Sequence, residues 1–178
     1  PLIIVCSLLI WFEDGGPIFY SQIRTGVNGK EFKLTKLRTM KHKAEITGPV
    51  WATKYDKRIK KTGAFLRRTR IDELPQLLSV FLGEMSLIGP RPERPEIEIK
   101  LKKNIPHYDL RNLIRPGLSG WAQVNYPYGA SIKDSAIKLS YELFYIRNQS
   151  FLFDILIFFK TIKLILNMKG SVPKNNDN

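Results

Sequence analysis

Cysteine is almost absent from the 178-residue chain, which contains only Cys6. A single thiol excludes an internal disulfide framework and fits a reducing cytosol. No histidine or second cysteine lies near it in the sequence, so Cys6 is expected to be a packing or lipid-contacting residue. Histidine is also scarce: His42 and His107 are the two that occur. Neither has metal-ligand spacing or a nucleophile beside it, so both are expected to be structural or exposed.

Several patterns that would name a function directly are missing. The sequence contains no Walker loop, dinucleotide fingerprint, zinc pattern or internal repeat. The apolar run at residues 2–12 is too short to cross a bilayer, which takes about 20 apolar residues, and it lacks the features of a signal peptide. Because the chain opens at Pro1 inside this run, we expect a fragment of a longer protein. The run is either a buried element or part of a re-entrant or interfacial helix.

Acidic residues are few compared with basic ones. The 29 Lys and Arg residues against 16 Asp and Glu give a formal net charge of +13. This charge favours anionic partners, namely nucleic acid, lipid headgroups or phosphorylated small molecules. The length and the 43% hydrophobic content suit one globular domain. Disorder is expected only in the polar tail, residues 169–178.

The apolar periodicity predicts a helix-rich α+β domain with one small β-hairpin. Alternating apolar residues around a turn that contains Gly and Asn predict the hairpin at 18–38. Apolar residues at helical spacing predict a helix that starts at Asp72 and ends near Gly83, with Pro75 in its first turn. Residues 40–63 are expected to form a mobile or substrate-facing connection. Further helices are predicted at 96–103, 132–147 and 151–166, and a turn at 115–117.

The densest ionic cluster is Arg-Arg-Thr-Arg-Ile-Asp-Glu at 67–73, in which three cations precede two adjacent carboxylates. A helix N-terminus carries partial positive charge, which binds phosphate and keeps a carboxylate ionised as a nucleophile. Two neighbouring carboxylates can also hold Mg²⁺ against substrate phosphates. The alternative from residue types alone is that Asp72 caps the helix and the arginines form a solvated face.

Arg91 and Arg115 each lie beside a proline. A guanidinium on a stiffened loop can bind phosphate oxygens bidentately, which favours a phosphate site. Taken singly, either arginine could be an ordinary surface residue.

Three longer strings resemble the bacterial sugar transferase family, the monotopic polyprenyl-phosphate phosphoglycosyl transferases. They are Arg-Thr-Arg-Ile-Asp-Glu-Leu-Pro-Gln-Leu at 68–77, Gly-Glu-Met-Ser-Leu-Ile-Gly-Pro-Arg-Pro at 83–92 and Arg-Pro-Gly-Leu-Ser-Gly-Trp-Ala-Gln-Val-Asn at 115–125. The resemblance extends over nearly the whole chain. Segments 93–108 and 126–130 resemble larger members, which start exopolysaccharide, O-antigen or capsule synthesis and carry additional membrane helices.

The resemblance implies a two-step transfer. Asp72 would attack the sugar-proximal phosphate of a UDP-sugar, expel UMP and form an aspartyl phosphosugar, from which polyprenyl (undecaprenyl) phosphate takes the sugar phosphate. Glu73 matches the second member of the family's Asp-Glu dyad and would bind Mg²⁺ together with Asp72. The remaining candidates would neutralise phosphate charge: Arg67, Arg91 and Arg115, with Lys36, Arg38 and Gln123 as weaker members.

The resemblance also implies a layout on the membrane. Residues 1–12 would be the second arm of a truncated re-entrant membrane helix, residues 13–168 the catalytic domain and residues 169–178 a disordered tail. Amphipathic helices, including the largely apolar one at 151–166, would lie on the cytoplasmic face of the bacterial inner membrane. Anionic lipids are then partners, no specific nucleic acid is expected, and a homo-oligomer is left open. The competing hypothesis is a non-catalytic basic module that binds nucleic acid or anionic membrane.

Overall fold

The structure is a computed structural model that describes residues 1–42, 44, 56–126 and 131–167. Within those ranges the chain forms α-helices and two small sheets, so the predicted helix-rich α+β class is confirmed. The strands are β1 (Phe19–Thr25), β2 (Glu31–Leu37), β3 (Ser86–Ile88) and β4 (Gly117–Ser119). The helices are α1 (Leu2–Asp14), α2 (Lys61–Thr69), α3 (Leu77–Phe81), α4 (Pro95–Asn104), α5 (Trp121–Asn125), α6 (Ile132–Arg147) and α7 (Phe151–Leu166). Short 3₁₀ segments lie at Val27–Gly29, Ile71–Gln76 and Tyr108–Leu113.

The predicted hairpin is confirmed. β1 and β2 pair antiparallel, with Phe19 opposite Leu37 and Thr25 opposite Glu31. Asn28 adopts φ 54° in the turn, a left-handed conformation that Asn adopts more readily than most residues. The hairpin lies against the Ile71–Gln76 segment through β2, so it forms one wall beside the two adjacent carboxylates.

The second sheet was not predicted. β3 and β4 pair in parallel, with Ser86 opposite Gly117 and Ile88 opposite Ser119. The backbones approach so closely that a Cβ on Gly117 would lie 2.1 Å from the backbone nitrogen of Gly89. The turn predicted at 115–117 is therefore wrong. That segment enters β4 directly, because pairing with a strand about 30 residues earlier in the chain holds it extended.

The single helix predicted between Asp72 and Gly83 is divided in two. Residues Ile71–Gln76 form 3₁₀ turns, and α3 begins only at Leu77. Pro75 lies inside the 3₁₀ segment and has no N–H to donate to an α-helical hydrogen bond. The predicted apolar stripe is exposed rather than packed in the core: the exposed fraction reaches 63% at Leu78 and 88% at Phe81.

Helix α1 packs on the domain by one edge. Cys6 and Ile10 are buried in a cluster with Leu37 and Leu66, which confirms the packing role expected for Cys6. Most other apolar side chains of α1 are exposed, with 74% of Phe12 accessible. Of the helices in the described residues, none has both the length and the apolar character needed to cross a bilayer.

The two C-terminal helices are confirmed with the predicted bounds. The Ser131 hydroxyl accepts a hydrogen bond from the Asp134 N–H at 3.0 Å, and the Asp134 carboxylate accepts one from the Ser131 N–H at 3.1 Å, so a capping box starts α6. The Ser150 hydroxyl caps α7. The buried face of α6 consists of Ser135, Leu139, Glu142 and Tyr145.

Other predictions have mixed outcomes. α4 confirms the helix predicted at 96–103, and His42 and His107 are exposed as expected. Half of the connection predicted at 40–63 falls on residues 43 and 45–55, which lie outside the described ranges, as does the predicted tail at 169–178. The end of that connection is helical, because α2 begins at Lys61.

Candidate active site

The Asp72–Glu73 pair, called here the acidic dyad, lies in the first turn of the Ile71–Gln76 segment. Arg70 precedes it with φ 58° and ψ 13°, in the left-handed region. A left-handed arginine is uncommon and costs backbone energy, so the surrounding structure must hold it. This residue ends α2 and redirects the chain, which places the acidic dyad between α2 and β2.

Asp72 is 4% exposed, and its Oδ1 has no hydrogen-bond partner among the described residues. Burial, followed by the charge of Glu73, raises the pKa of Asp72 to about 6, while the charges of Lys36, Arg67 and Arg70 act in the opposite direction. A buried carboxylate oxygen without a partner is rare and costly in folded proteins. Asp72 therefore has the features of a nucleophile or of a metal ligand rather than of a helix cap.

Glu73 is paired with two arginines. Arg91 Nη2 donates to Glu73 Oε1 at 2.5 Å, and Arg70 Nη1 donates to the same oxygen at 3.2 Å. Burial alone would raise the pKa of Glu73, but Arg91 and Arg70 outweigh it and lower that pKa to about 2. The two adjacent carboxylates thus have opposite pKa shifts, a pattern that assigns different chemical roles to neighbouring acids.

Lys36 and Arg67 supply further positive charge to Asp72. Arg67 Nε donates to Thr39 Oγ1 at 2.9 Å, and Thr39 is 2% exposed. The Arg67 guanidinium is therefore held by a buried hydroxyl. Lys36 Nζ lies 5.6 Å from the ring centroid of Tyr20. Burial and the neighbouring Arg67 lower the pKa of Lys36 to about 8, which leaves it mainly protonated at pH 7.

Three predicted residues are not brought to the acidic dyad by any contact among the described residues. Arg38 is buried, and its Nη1 donates to Asp14 Oδ2 at 3.0 Å, so it ties the end of α1 to the domain. This pairing accounts for Arg38 in the described structure without testing its predicted role at phosphate. Arg115 is exposed before β4, and Gln123 has a buried Oε1 without a partner in the described ranges. Their roles at phosphate stay predictions.

Two residues near the acidic dyad were missed. Arg70 belongs to the predicted ionic cluster, but its bond to Glu73 depends on a left-handed backbone that no sequence pattern indicates. Thr39 positions Arg67. The string Lys-Leu-Arg-Thr-Met at 36–40, which also resembles a family motif, is the signal that could have identified Thr39.

The acidic dyad suits Mg²⁺ shared with a substrate, not a protein-only cage. Among the described residues no group of three or more His, Cys, Asp and Glu side chains could hold a metal. Mg²⁺ is usually bound by one or two carboxylates together with substrate phosphates and water. Asp72 Oδ1 is unpartnered, and Glu73 keeps unused lone pairs beside its arginines, so the residues fit such an ion.

A family model described as bacterial sugar transferase matches residues 1–168, and the chain belongs to this family. It is 42% identical over 171 residues to a UDP-N-acetylgalactosamine-undecaprenyl-phosphate N-acetylgalactosaminephosphotransferase of Aeromonas hydrophila, covering 96% of this chain and 40% of that protein. It is 38% identical over 172 residues to a UDP-glucose:undecaprenyl-phosphate glucose-1-phosphate transferase of Xanthomonas campestris, covering 95% and 36%.

The chain covers a larger share of a shorter relative. Exopolysaccharide production protein ExoY of Sinorhizobium fredii is 37% identical over 186 residues, covering 96% of this chain and 80% of that protein. By contrast, the chain spans about two fifths of the length of the Aeromonas and Xanthomonas relatives.

The opposite pKa shifts of the acidic dyad predict opposite effects on stability. Above about pH 6 the folded protein holds Asp72 as a costly buried carboxylate, and this cost disappears as the pH falls from 6 towards 4. In EDTA at pH 8, Asp72→Asn should therefore raise the free energy of unfolding by about 2 to 3 kcal/mol, with a smaller gain at pH 5. Glu73→Gln should lower it at pH 8, because the ionised Glu73 is stabilised by Arg91. Denaturant unfolding at both pH values measures this, and shifts of the same sign in the two variants would contradict it.

Proposed function

We propose that the chain transfers a sugar 1-phosphate from a UDP-sugar to polyprenyl phosphate, giving polyprenyl diphosphate sugar and UMP. The observation that carries this proposal is a buried Asp72 with an unpartnered oxygen, surrounded by cations, in a member of the bacterial sugar transferase family. The names of the Aeromonas and Xanthomonas relatives, which combine a UDP-sugar with undecaprenyl phosphate, support the donor and acceptor classes.

The proposed chemistry has two displacements at one phosphorus atom. In the first, the Asp72 carboxylate attacks the phosphate attached to the sugar, the bond from that phosphorus to the oxygen bridging to UMP breaks, and UMP leaves with the bond electrons. In the second, an oxygen of polyprenyl phosphate attacks the same phosphorus and the Asp72 carboxylate is released. A pKa near 6 leaves most Asp72 ionised at pH 7, as a nucleophile requires.

The cations around the acidic dyad would lower the repulsion between a carboxylate nucleophile and the donor phosphates. Arg91 combines a bond to Glu73 with 38% exposure of its side chain, so it can reach a phosphate without leaving the site. Lys36 and Arg67 act on Asp72 from β2 and α2. Mg²⁺, when bound, would be held by Asp72 and Glu73 and would supply further neutralisation of phosphate charge.

We place this reaction at the cytoplasmic face of the bacterial inner membrane, with anionic lipids as partners. Exposed apolar side chains on three helices support this placement, since soluble monomers rarely expose large apolar patches. They include Leu8, Phe12, Leu78, Phe81, Phe151 and Phe159, with exposed fractions between 50% and 88%. α3 follows the acidic dyad directly, so contact of α3 with lipid would bring Asp72 close to the phosphate of a membrane-bound carrier.

Asp72→Asn should abolish the reaction, because an amide does not attack phosphorus. The full-length protein, with UDP-N-acetylgalactosamine or UDP-glucose and undecaprenyl phosphate, should release UMP, whereas the variant should show only background release. With a donor that carries ³²P in the sugar-proximal phosphate and no acceptor, the parent should become labelled and the variant should not. Asp109→Asn, at an exposed aspartate, is the matched control and should keep activity.

Substantial turnover by Asp72→Asn would overturn the assigned nucleophile. Lipid binding without UMP release by the parent would favour the basic binding module.

Activity should require Mg²⁺ and the Arg91 guanidinium. EDTA should stop UMP release, and added Mg²⁺ should restore it. Arg91→Ala should cost roughly 2 to 4 kcal/mol of transition-state stabilisation, the range expected when one electrostatic donor is lost. Arg147→Ala, at an exposed arginine near the end of α6, is the control and should be nearly neutral. EDTA-resistant turnover would exclude the metal role.

The exposed face of α7 should bind the membrane. Phe158 and Phe159 are 51% and 62% exposed, whereas their neighbour Ile157 is fully buried. The variant with Phe158→Glu and Phe159→Glu should lose flotation with phosphatidylethanolamine–phosphatidylglycerol liposomes and keep its melting temperature. Ile157→Glu should instead lower the melting temperature. Retained flotation with a collapsed melt in the double variant would show that these phenylalanines serve the core.

A further inference from the structure

The loop that carries Arg91 has its backbone held at every residue from 89 to 93. The contacts come from three elements, namely β4, the 3₁₀ segment Tyr108–Leu113 and β1. All five are hydrogen bonds with distances between 2.6 and 2.9 Å. Written from donor to acceptor, they are Gly89 N to Ser119 O, Gly117 N to Pro90 O, Arg111 Nη2 to Arg91 O, Arg24 Nη1 to Pro92 O, and Thr25 N to Glu93 O. The Arg91 side chain therefore extends from a backbone that hydrogen bonds hold in place.

The contact to Arg91 itself comes from a buried charged side chain. Arg111 is 4% exposed, and its Nε and Nη2 each donate to a different oxygen of Glu142 at 2.8 Å. A bidentate pair of this kind fixes the plane of the guanidinium. Nη2 also donates to the carbonyl oxygen of Arg91 at 2.6 Å. α6, through Glu142, thereby sets the direction of the bond that holds Arg91.

Stability alone does not account for this buried ion pair. Replacing a buried salt bridge by apolar side chains of similar volume is often neutral or stabilising, because both charges must be desolvated to form the pair. The Arg111–Glu142 pair has a feature that an apolar pair lacks, a donor aimed at the backbone of a site residue. Arg91 in turn donates to Glu73 at 2.5 Å, so the chain of contacts runs from α6 to the acidic dyad.

We propose that Arg111, held by Glu142, is a positioning residue for the transfer reaction, acting through the Arg91 carbonyl to hold the Arg91 guanidinium at the acidic dyad. This inference rests on the proposed function. Arg111 itself contacts neither Asp72 nor Glu73 in the described structure. Its effect on rate must therefore pass through Arg91, and this requirement provides the test.

The test removes both charges together, so that no single charge is left buried. The full-length variant with Arg111→Met and Glu142→Leu should remain folded and should lose roughly 10- to 100-fold in kcat/KM, mainly in kcat, because small displacements of a positioned group have effects of this size. In an Arg91→Ala background the same two substitutions should cause less than a twofold further loss. A purely structural role would lower activity equally in both backgrounds.

Tyr145→Phe is the matched control, since Tyr145 is a 1% exposed side chain of α6 whose hydroxyl donates to Asp154 Oδ1 at 2.7 Å. It should change the melting temperature but not kcat/KM. Glu142→Gln, which keeps one oxygen acceptor, is the milder variant if the double one does not fold, and its loss of kcat/KM should also vanish in the Arg91→Ala background.

Additive losses of kcat/KM, or full activity of the Arg111→Met and Glu142→Leu variant while Arg91→Ala is impaired, would overturn the positioning role alone. Full activity of Arg91→Ala would instead overturn the part that Arg91 has in the proposed function.

Discussion

Two carboxylates that are adjacent in sequence repel each other, and here they do so in a turn with little access to water. The repulsion is relieved unequally. The guanidinium groups of Arg70 and Arg91 pair with Glu73, whereas Asp72 Oδ1 has no hydrogen-bond partner among the described residues. This inequality separates a charge that two arginines hold in place from one that keeps an oxygen open. If both carboxylates were equally paired, neither would have an oxygen open to a substrate.

The cations around the acidic dyad come from segments far apart in the chain. Lys36 lies on β2, Arg67 on α2, and Arg91 on the loop after β3. Each is held by a contact of its own, such as the buried hydroxyl of Thr39 for Arg67 and the carbonyl contact from Arg111 for the Arg91 loop. The fold therefore serves to bring scattered positive charges to one turn, and the small sheets and short helices are sufficient for that task.

The parts that sequence analysis predicted correctly are those fixed by local chemistry. The hairpin follows from alternation around a turn, and α6 and α7 follow from capping serines and apolar runs. The parts it missed depend on distant partners or on unusual backbone: the parallel pairing of β3 with β4, and the left-handed Arg70. Residue type identified the members of the ionic cluster, but it did not show that Arg38 would pair with Asp14. A guanidinium is equally suited to a substrate phosphate and to a structural carboxylate, and only tertiary structure decides between them.

The close approach of Gly89 to Gly117 also bears on how this family can vary in length. β3 and β4 are joined side by side, so the intervening chain leaves the sheet, forms α4 and the Tyr108–Leu113 segment, and returns to almost the same point. The entropic cost of closing such a loop rises only slowly with the number of residues in it. Insertions or deletions around residues 104–107 are thus expected to leave intact the spacing between Arg91, in the loop after β3, and Arg115, just before β4. The segment between β3 and β4 can then change in length without moving the residues of the site, because the close contact of Gly89 with Gly117 holds both of its ends.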